Sequence, residues 1–332
     1  VGCMTEYSDR CHTMKKYDFT VVGTAATVSV LRVDRMPQSG KSTPAFGADF
    51  TSFSYGGKGF NIVAGLARLG CDVYPVLTYC DDRMRPELHR YLHSTGMPED
   101  GIKDPPAGAV GTTLMIQDRE KNHMTLITGY DLRLPGNGYF GTQEMKPSFF
   151  KNSAMAVLTA PLPANTIPAI RAIRSSGIPM ALSMCIDENA FPRETLAEAL
   201  NNTRILFANE GEIAYIRGMF GMKSITELFK NGMTRCIVET LGAAGSRVYA
   251  WSPEGIETVT VPAVPPKTRE VETVGAGDGY VCGFLYGLRK GKSMADCAML
   301  GGCLSSFVLE KEGSVSNLPT EEQLLERFQG AI

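Results

Sequence analysis

The chain has 332 residues, 43% hydrophobic and 20% charged, enough apolar material to bury the core of one large α/β domain or two medium ones. Lys+Arg 33 against Asp+Glu 35 gives a net charge of −2 without a polybasic block, and no apolar run spans a bilayer, which argues against nucleic acid or membrane as a partner. Nine cysteines, an odd number with no C-x-x-C pair, argue against a zinc site and a disulfide framework and fit a reducing, cytoplasmic setting.

Residues 1–16 are polar, lack a signal-peptide core and read as a flexible N-terminal segment. Phe19–Gly23 reads as a first, buried strand. Residues from about 29 to 56 are rich in Pro, Gly, Ser and Thr and suit short exposed strands and loops. Gly56-Gly57-Lys58-Gly59-Phe60-Asn61 opens a helix whose Ile62, Val63, Leu66 and Leu69 share one face, and Gly70 ends it. Val73–Leu77 reads as a strand and Arg85–Ser94 as a helix. Residues 112–117 and 123–128 alternate like strands on either side of a polar turn, which predicts a β-hairpin. From residue 154 onward, strands (154–158, 179–184, 204–207, 235–238) alternate with helices (165–176, 193–200, 210–217, 224–231). That alternation predicts a parallel sheet covered on both faces. Arg247–Trp251 and Gly255–Val261 suggest a further hairpin. Helices follow Gly277 and Ser293, and a last one covers 320–328. The hairpin at 112–128 and the irregular part of 29–56 break the α/β pattern. Paired, they would make a small lid over the sheet's carboxyl edge; the other reading is a surface excursion.

The most chemically loaded stretch is Glu272-Thr273-Val274-Gly275-Ala276-Gly277-Asp278-Gly279-Tyr280, followed by Val281, Phe284, Leu285 and Leu288 at helical spacing. The glycines fall in a tight turn at a helix start, where backbone amides lack intrahelical partners and the dipole favours negative charge. That makes a phosphate cradle, with Asp278 placed to take a proton from a hydroxyl. The alternative is a Gly-rich turn with Asp278 serving the helix dipole. Gly57, Lys58 and Asn61 bring amides, an ammonium and a donor–acceptor pair, which suits a polyhydroxylated small molecule, or else they only cap a helix. Asn209-Glu210-Gly211-Glu212 follows a strand; Glu212 suits magnesium, or Asn209 simply caps the next helix. Thr240, Gly242 and Gly245 follow another strand and face a nucleotide's phosphates or form a hairpin turn. Ser39-Gly40-Lys41-Ser42 lacks the earlier glycine of a Walker A loop, since Arg35 stands there. His89 and His93 stand at i, i+4 without a third ligand and read as a solvated helix face.

The order of these motifs, over roughly residues 18–328, closely resembles the ribokinase-like (PfkB) family of carbohydrate kinases. The resemblance implies an α/β, three-layer α/β/α fold with a mainly parallel central sheet and a small β lid. The kinase domain would cover 17–330, with the lid from about 29–56 and 108–130. It implies transfer of the γ-phosphate of ATP to a hydroxyl of a sugar or nucleoside. Asp278 would be the base, and the amides of Gly275, Ala276 and Gly277 the anion hole. Gly57, Lys58 and Asn61 would contact substrate. Asn209 and Glu212 would organise Mg2+ and phosphates; Thr240, Gly242 and Gly245 would line the nucleotide site. The region Lys311-Glu-Gly313-Ser314 resembles the loop that flanks the adenine and, in some members, K+. By analogy the lid implies a homodimer.

Some positions depart from the family. Ala26 and Val28 stand where it has Asn and a sugar-gripping Asp, with Asp34 the nearby acidic candidate. Glu272 replaces an Asp linked to monovalent cations. The ribokinase acidic contact is missing around Thr159-Ala160-Pro161. These departures weaken ribose as the substrate, and they keep a nucleoside kinase and a catalytically silent ligand-binding relative in view.

Overall fold

The computed structural model describes residues 16–46, 52–79, 81–120, 122–128, 143–159, 163–268 and 273–331. The expectations placed on residues 1–15, on Ala160 and Pro161, on Glu272, and on the lid's end at 129–130 lie outside them. The runs rich in β-branched residues build two sheets. The larger is made by β1 (Tyr17–Thr24), β5 (Val73–Thr78), β6 (Ile102–Lys103), β9 (Ser153–Leu158), β10 (Met180–Ser183), β11 (Thr203–Asn209), β12 (Cys236–Thr240), β13 (Ser246–Ser252) and β14 (Gly255–Val261). Its order is β14-β13-β12-β11-β10-β9-β1-β5-β6. The pairings are parallel except at one edge, where β13 runs antiparallel to both β12 and β14.

Alternate side chains of each strand enter two separate cores, as period-2 geometry requires. Phe19, Val21, Val73, Leu77, Met155 and Val157 join one core, shared with α1 (Lys58–Arg68), α2 (Arg85–Thr95), α6 (Ala276–Arg289), α7 (Met294–Leu309) and α8 (Glu321–Gln329). Val22, Tyr74, Val76, Ala156 and Leu158 join the other, under α3 (Pro163–Ser175), α4 (Arg193–Asn202) and α5 (Glu210–Phe220). The result is a three-layer α/β/α arrangement with a mainly parallel sheet. Among the described residues, no helix is long and apolar enough to cross a membrane.

The second sheet has the order β3-β2-β7-β8, with β4 also on β2. Its strands are β2 (Ala26–Val33), β3 (Ala45–Phe46), β4 (Ser54–Gly56), β7 (Thr112–Gln117) and β8 (His123–Ile127). β2 is longer than the sequence suggests. Only Ala25 separates it from β1, so one nearly continuous extended run passes from the first sheet into the second. Among the described residues, side-chain bonds tie the second sheet to the body. Thr27 Oγ1 donates to the fully buried Asp81 at 2.5 Å, Gln117 Nε2 donates to Thr273 Oγ1 at 3.1 Å, and Arg32 pairs with Glu312 at 3.1 Å. The helix expected at 224–231 is instead a 3-10 turn, Ile225–Phe229, opened by a Ser224–Glu227 capping box. The Lys230 amide bonds the Glu227 carbonyl at 3.0 Å, the i→i−3 spacing of a 3-10 turn.

Both ring nitrogens of His89 face carboxylates, 2.6 Å from Glu99 and 2.9 Å from Asp104. Burial works against its charged form, but the two carboxylates outweigh this and its pKa is raised. A raised folded pKa gives stability that is full below the unfolded value, about 6.5, and is lost as pH rises through the folded value. Urea unfolding should therefore show wild type above His89→Gln at pH 5.5, with the gap narrowing at pH 8.5. A gap independent of pH would contradict this.

Candidate active site

Because the β1–β5–β6 and β9–β12 strands are parallel, their carboxyl ends share one edge. Thr24, Thr78, Ser183, Asn209 and Thr240 close five of them there. Asn209 and Thr240 are register partners on neighbouring strands. β5 and β9 flank β1 on opposite sides, so the chain order reverses at β1. The crevice beyond such a reversal is where open α/β sheets bind ligands.

The glycine-rich start of α1 is threaded into that crevice. Gly57 has φ 93°, and a Cβ there would stand 2.7 Å from the Ala26 nitrogen and 2.8 Å from the Thr24 oxygen, so only glycine fits. Lys58 and Asn61, three residues apart on the helix, then share one face. Opposite them α6 begins, with Gly275 as N-cap at φ 82° and Asp278 in the first turn. Asn61 Nδ2 donates to Asp278 Oδ2 at 2.8 Å, and Lys58 Nζ stands 3.6 Å from Asp278 Oδ1. Ser314 Oγ donates to Asn61 Oδ1 at 2.8 Å. Motifs more than two hundred residues apart thus meet in one cluster.

Asp278 is 8% exposed. Burial lifts its carboxyl above the ordinary carboxylate range, and the Lys58 ammonium and Asn61 amide oppose this without cancelling it. Burial works against the Lys58 ammonium, but the Asp278 and Glu212 carboxylates outweigh it and the net shift is upward. Burial also raises Glu212, against Lys58 and the Asn209 amide. Cys185, just past β10, feels the same three charges; burial pushes its thiol up to about 12 and keeps it protonated. A lone serine in a late loop and a cysteine after a strand carry no periodic signal, so sequence reasoning does not single out Cys185 or the Ser314 bond.

The turn before α6 can hold an anion. The Ala276 amide donates a long bond, 3.3 Å, to the Thr273 carbonyl. The amides of Gly277 and Asp278 have no intrahelical partner, as at any helix start. A Cβ on Gly277 would meet nothing within 4 Å, so the space before it is open. Asn209 and Glu212 form a capping box on α5: Asn209 Oδ1 accepts from the Glu212 amide at 2.9 Å, and Glu212 Oε2 from the Asn209 amide at 2.8 Å. The capping alternative is therefore realised, while Glu212 also lies in the field of Lys58 and Asp278. Among the described residues, no group of three His, Cys, Asp or Glu could hold a metal by itself. A magnesium ion shared with phosphates needs only one or two carboxylates, and Glu212 fits that donor set.

Thr240, Gly242 and Gly245 make the turn between β12 and β13. The Leu241 amide bonds the Gly245 carbonyl at 2.8 Å, around a 3-10 turn at Gly242–Ala244. A Cβ on Gly245 would lie 2.1 Å from the Val261 oxygen, so packing alone accounts for that glycine. Thr240 keeps its place at the sheet edge beside Asn209.

Ala26 and Val28, the two positions that depart from the family pattern, pair with Gly56 and Ser54. Asp34 does not replace them. It lies past the far end of β2, about 25 Å along an extended chain from Ala26, in a 2.6 Å ion pair with Arg119. A separate cleft of about 310 Å3, lined by Lys16, Tyr17, Tyr74, Asp100, Phe149 and Asn152 among others, opens at the opposite end of the strands.

Comparison with known proteins matches the family model described as pfkB family carbohydrate kinase over residues 20–321. A ribokinase of Arabidopsis thaliana is 23% identical over 329 residues, covering 94% of this chain and 81% of the relative. A Burkholderia thailandensis nucleoside kinase in complex with ADP-inosine superposes with TM-score 0.80 at 18% identity, covering 95% of this chain and 96% of that one. An Arabidopsis thaliana ribokinase complexed with ribose and ATP superposes with TM-score 0.70 at 18% identity, covering 94% and 99%. These structural likenesses fix the fold as ribokinase-like.

Proposed function

The chain belongs to the pfkB family of carbohydrate kinases, and from that premise we propose that it moves the terminal phosphate of ATP to a hydroxyl of a sugar, sugar derivative or nucleoside. The single observation that carries this reading is Asp278, buried at the start of α6, with Lys58 and Asn61 against its two oxygens and open space before Gly277. Asp278 takes the proton of the acceptor hydroxyl as that oxygen attacks phosphorus. The amides at Gly275–Gly277 receive the charge of the transferring group, and Lys58 adds its ammonium. Phosphoryl transfer asks for this positioning and charge stabilisation more than for covalent chemistry. Magnesium, when bound, neutralises phosphate charge; Glu212 and phosphate oxygens would hold it. K+ would sit by the Lys311–Ser314 loop, and Thr240 would border the nucleotide. Gly57 and Asn61 border the acceptor.

The second sheet acts as the lid, excluding water and so limiting hydrolysis of ATP. Its exposed Phe46, Met124, Leu126 and Ile127 support a homodimer through that sheet. The six described cysteines form no disulfide with one another, which fits a cytoplasmic setting. The apolar pair Ala26 and Val28 supports an acceptor other than ribose; it also supports the rival reading, a silent ligand-binding relative. ADP release measured across ribose, other sugars, sugar acids, inosine and other nucleosides decides between them. Turnover with at least one acceptor is expected. Silence across the panel, with thermal stabilisation by one of those compounds, would favour the silent relative.

A further inference from the structure

Both sides of the Asn61 amide are committed. Nδ2 donates to Asp278 Oδ2 and Oδ1 accepts from the Ser314 hydroxyl, each at 2.8 Å. Asn61 is 6% exposed and Ser314 5%, so water does not replace either bond freely. An ionised carboxylate only accepts, so the NH2 must face Asp278; the carbonyl then faces Ser314, whose hydroxyl must donate. Ser314 itself is pinned against the turn before α6. A Cβ on Gly275 would stand 2.4 Å from the Ser314 Cβ, and one on Gly56 would stand 3.0 Å from the Ser314 Oγ. The serine is therefore packed against both glycine-rich motifs.

We infer that Ser314 is a positioning residue: by locking the Asn61 amide it caps one oxygen of Asp278 and leaves the other, Oδ1, to receive the acceptor's proton. This rests on the reading of Asp278 as the base. Oδ1 is the oxygen that faces Lys58, at 3.6 Å. The hydroxyl would thus lose its proton to the oxygen nearest the ammonium. The loop that carries Ser314 also pairs with the second sheet, through Glu312 and Arg32 at 3.1 Å. Seating of that sheet and orientation of the carboxylate are thereby joined in one loop.

The test needs no acceptor. In protein labelled with 13C at the aspartate carboxyls, the Asp278 signal is identified by its loss in Asp278→Asn and titrated against pH. The groups facing Asp278 are Lys58 and Asn61 on α1, Glu212 on α5, Cys185 after β10 and Cys282 on its own helix. With Ser314→Ala, the Asn61 amide loses its anchor and its bond to Asp278 weakens. The midpoint should rise by about one unit, since that bond favours the charged form. Asn61→Ala should raise it likewise, and the double variant no further. Ser314→Cys, a weaker donor of similar size, should give an intermediate rise and serves if the alanine variant does not fold. An unmoved midpoint in a folded Ser314 variant, or shifts that add in the double variant, would overturn the inference. Full turnover by Asp278→Asn would instead remove the base reading and leave the hydrogen-bonded relay standing.

Discussion

Asp278→Asn should lower kcat on the order of 10³-fold while ATP affinity stays within a few-fold of wild type. The amide keeps the size of the carboxylate; its oxygen can still meet Lys58, and its NH2 can meet Asn61 once the Asn61 amide turns its oxygen toward it and its own NH2 to the Ser314 hydroxyl, but it takes no proton. Those contacts hold the side chain in place (2.8 Å to Asn61, 3.6 Å to Lys58), so the loss is chemical rather than architectural. Steady-state ADP release at saturating ATP measures kcat, and titration calorimetry measures ATP affinity. Turnover in wild type should also fall as pH drops through the Asp278 pKa, which burial raises above the usual carboxylate range. A near-normal rate in Asp278→Asn would remove the residue from this role.

Alanine at the two glycines before Asp278 should give opposite outcomes in stability. Gly275 sits at φ 82°, and its Cβ would fall 2.4 Å from that of Ser314. The left-handed backbone and the overlap together cost about 2–4 kcal/mol, so Gly275→Ala should be plainly destabilised in urea and nearly inactive. Gly277 lies inside the first turn of α6 with nothing within 4 Å of its Cβ position. Alanine there should leave stability equal or better by about 0.5–1 kcal/mol, since glycine is a poor helix former. Yet it places a methyl in the open space proposed for the transferring phosphate. Gly277→Ala is therefore expected to fold well and lose turnover at least about ten-fold. A stable Gly277→Ala with full activity would mean that the phosphate sits elsewhere.

What the sequence shows of this molecule is mainly what is local. Gly57-Lys58-Gly59 and Gly275-Ala276-Gly277-Asp278 announce helix starts because glycine, apolar spacing and a first-turn carboxylate act within a few residues. The alternation after residue 154 reads correctly as a parallel sheet, because strand and helix periods differ. That Asn61 meets Asp278 across 217 residues of chain is not written in either motif; the family resemblance places both at the substrate, and the bond itself is seen only in three dimensions. β2 escapes full recognition because its residues follow β1 after one alanine, with no turn signal to mark a new strand. The Thr240–Gly245 stretch looks the same whether it faces phosphates or closes a hairpin; the bonds that close the hairpin are seen only in three dimensions. Asp34 fails as a stand-in for the missing Asp because distance along a strand grows by about 3.3 Å per residue, which carries it past the far end of β2.

A structure of the protein with a non-hydrolysable ATP analogue bears most directly on the account. The terminal phosphate is expected on the Gly275–Gly277 turn, within about 3 Å of an amide nitrogen, with Asp278 Oδ1 turned toward the acceptor side. A nucleotide seated with its terminal phosphate away from that turn, out of reach of both Asp278 and Lys58, would contradict it.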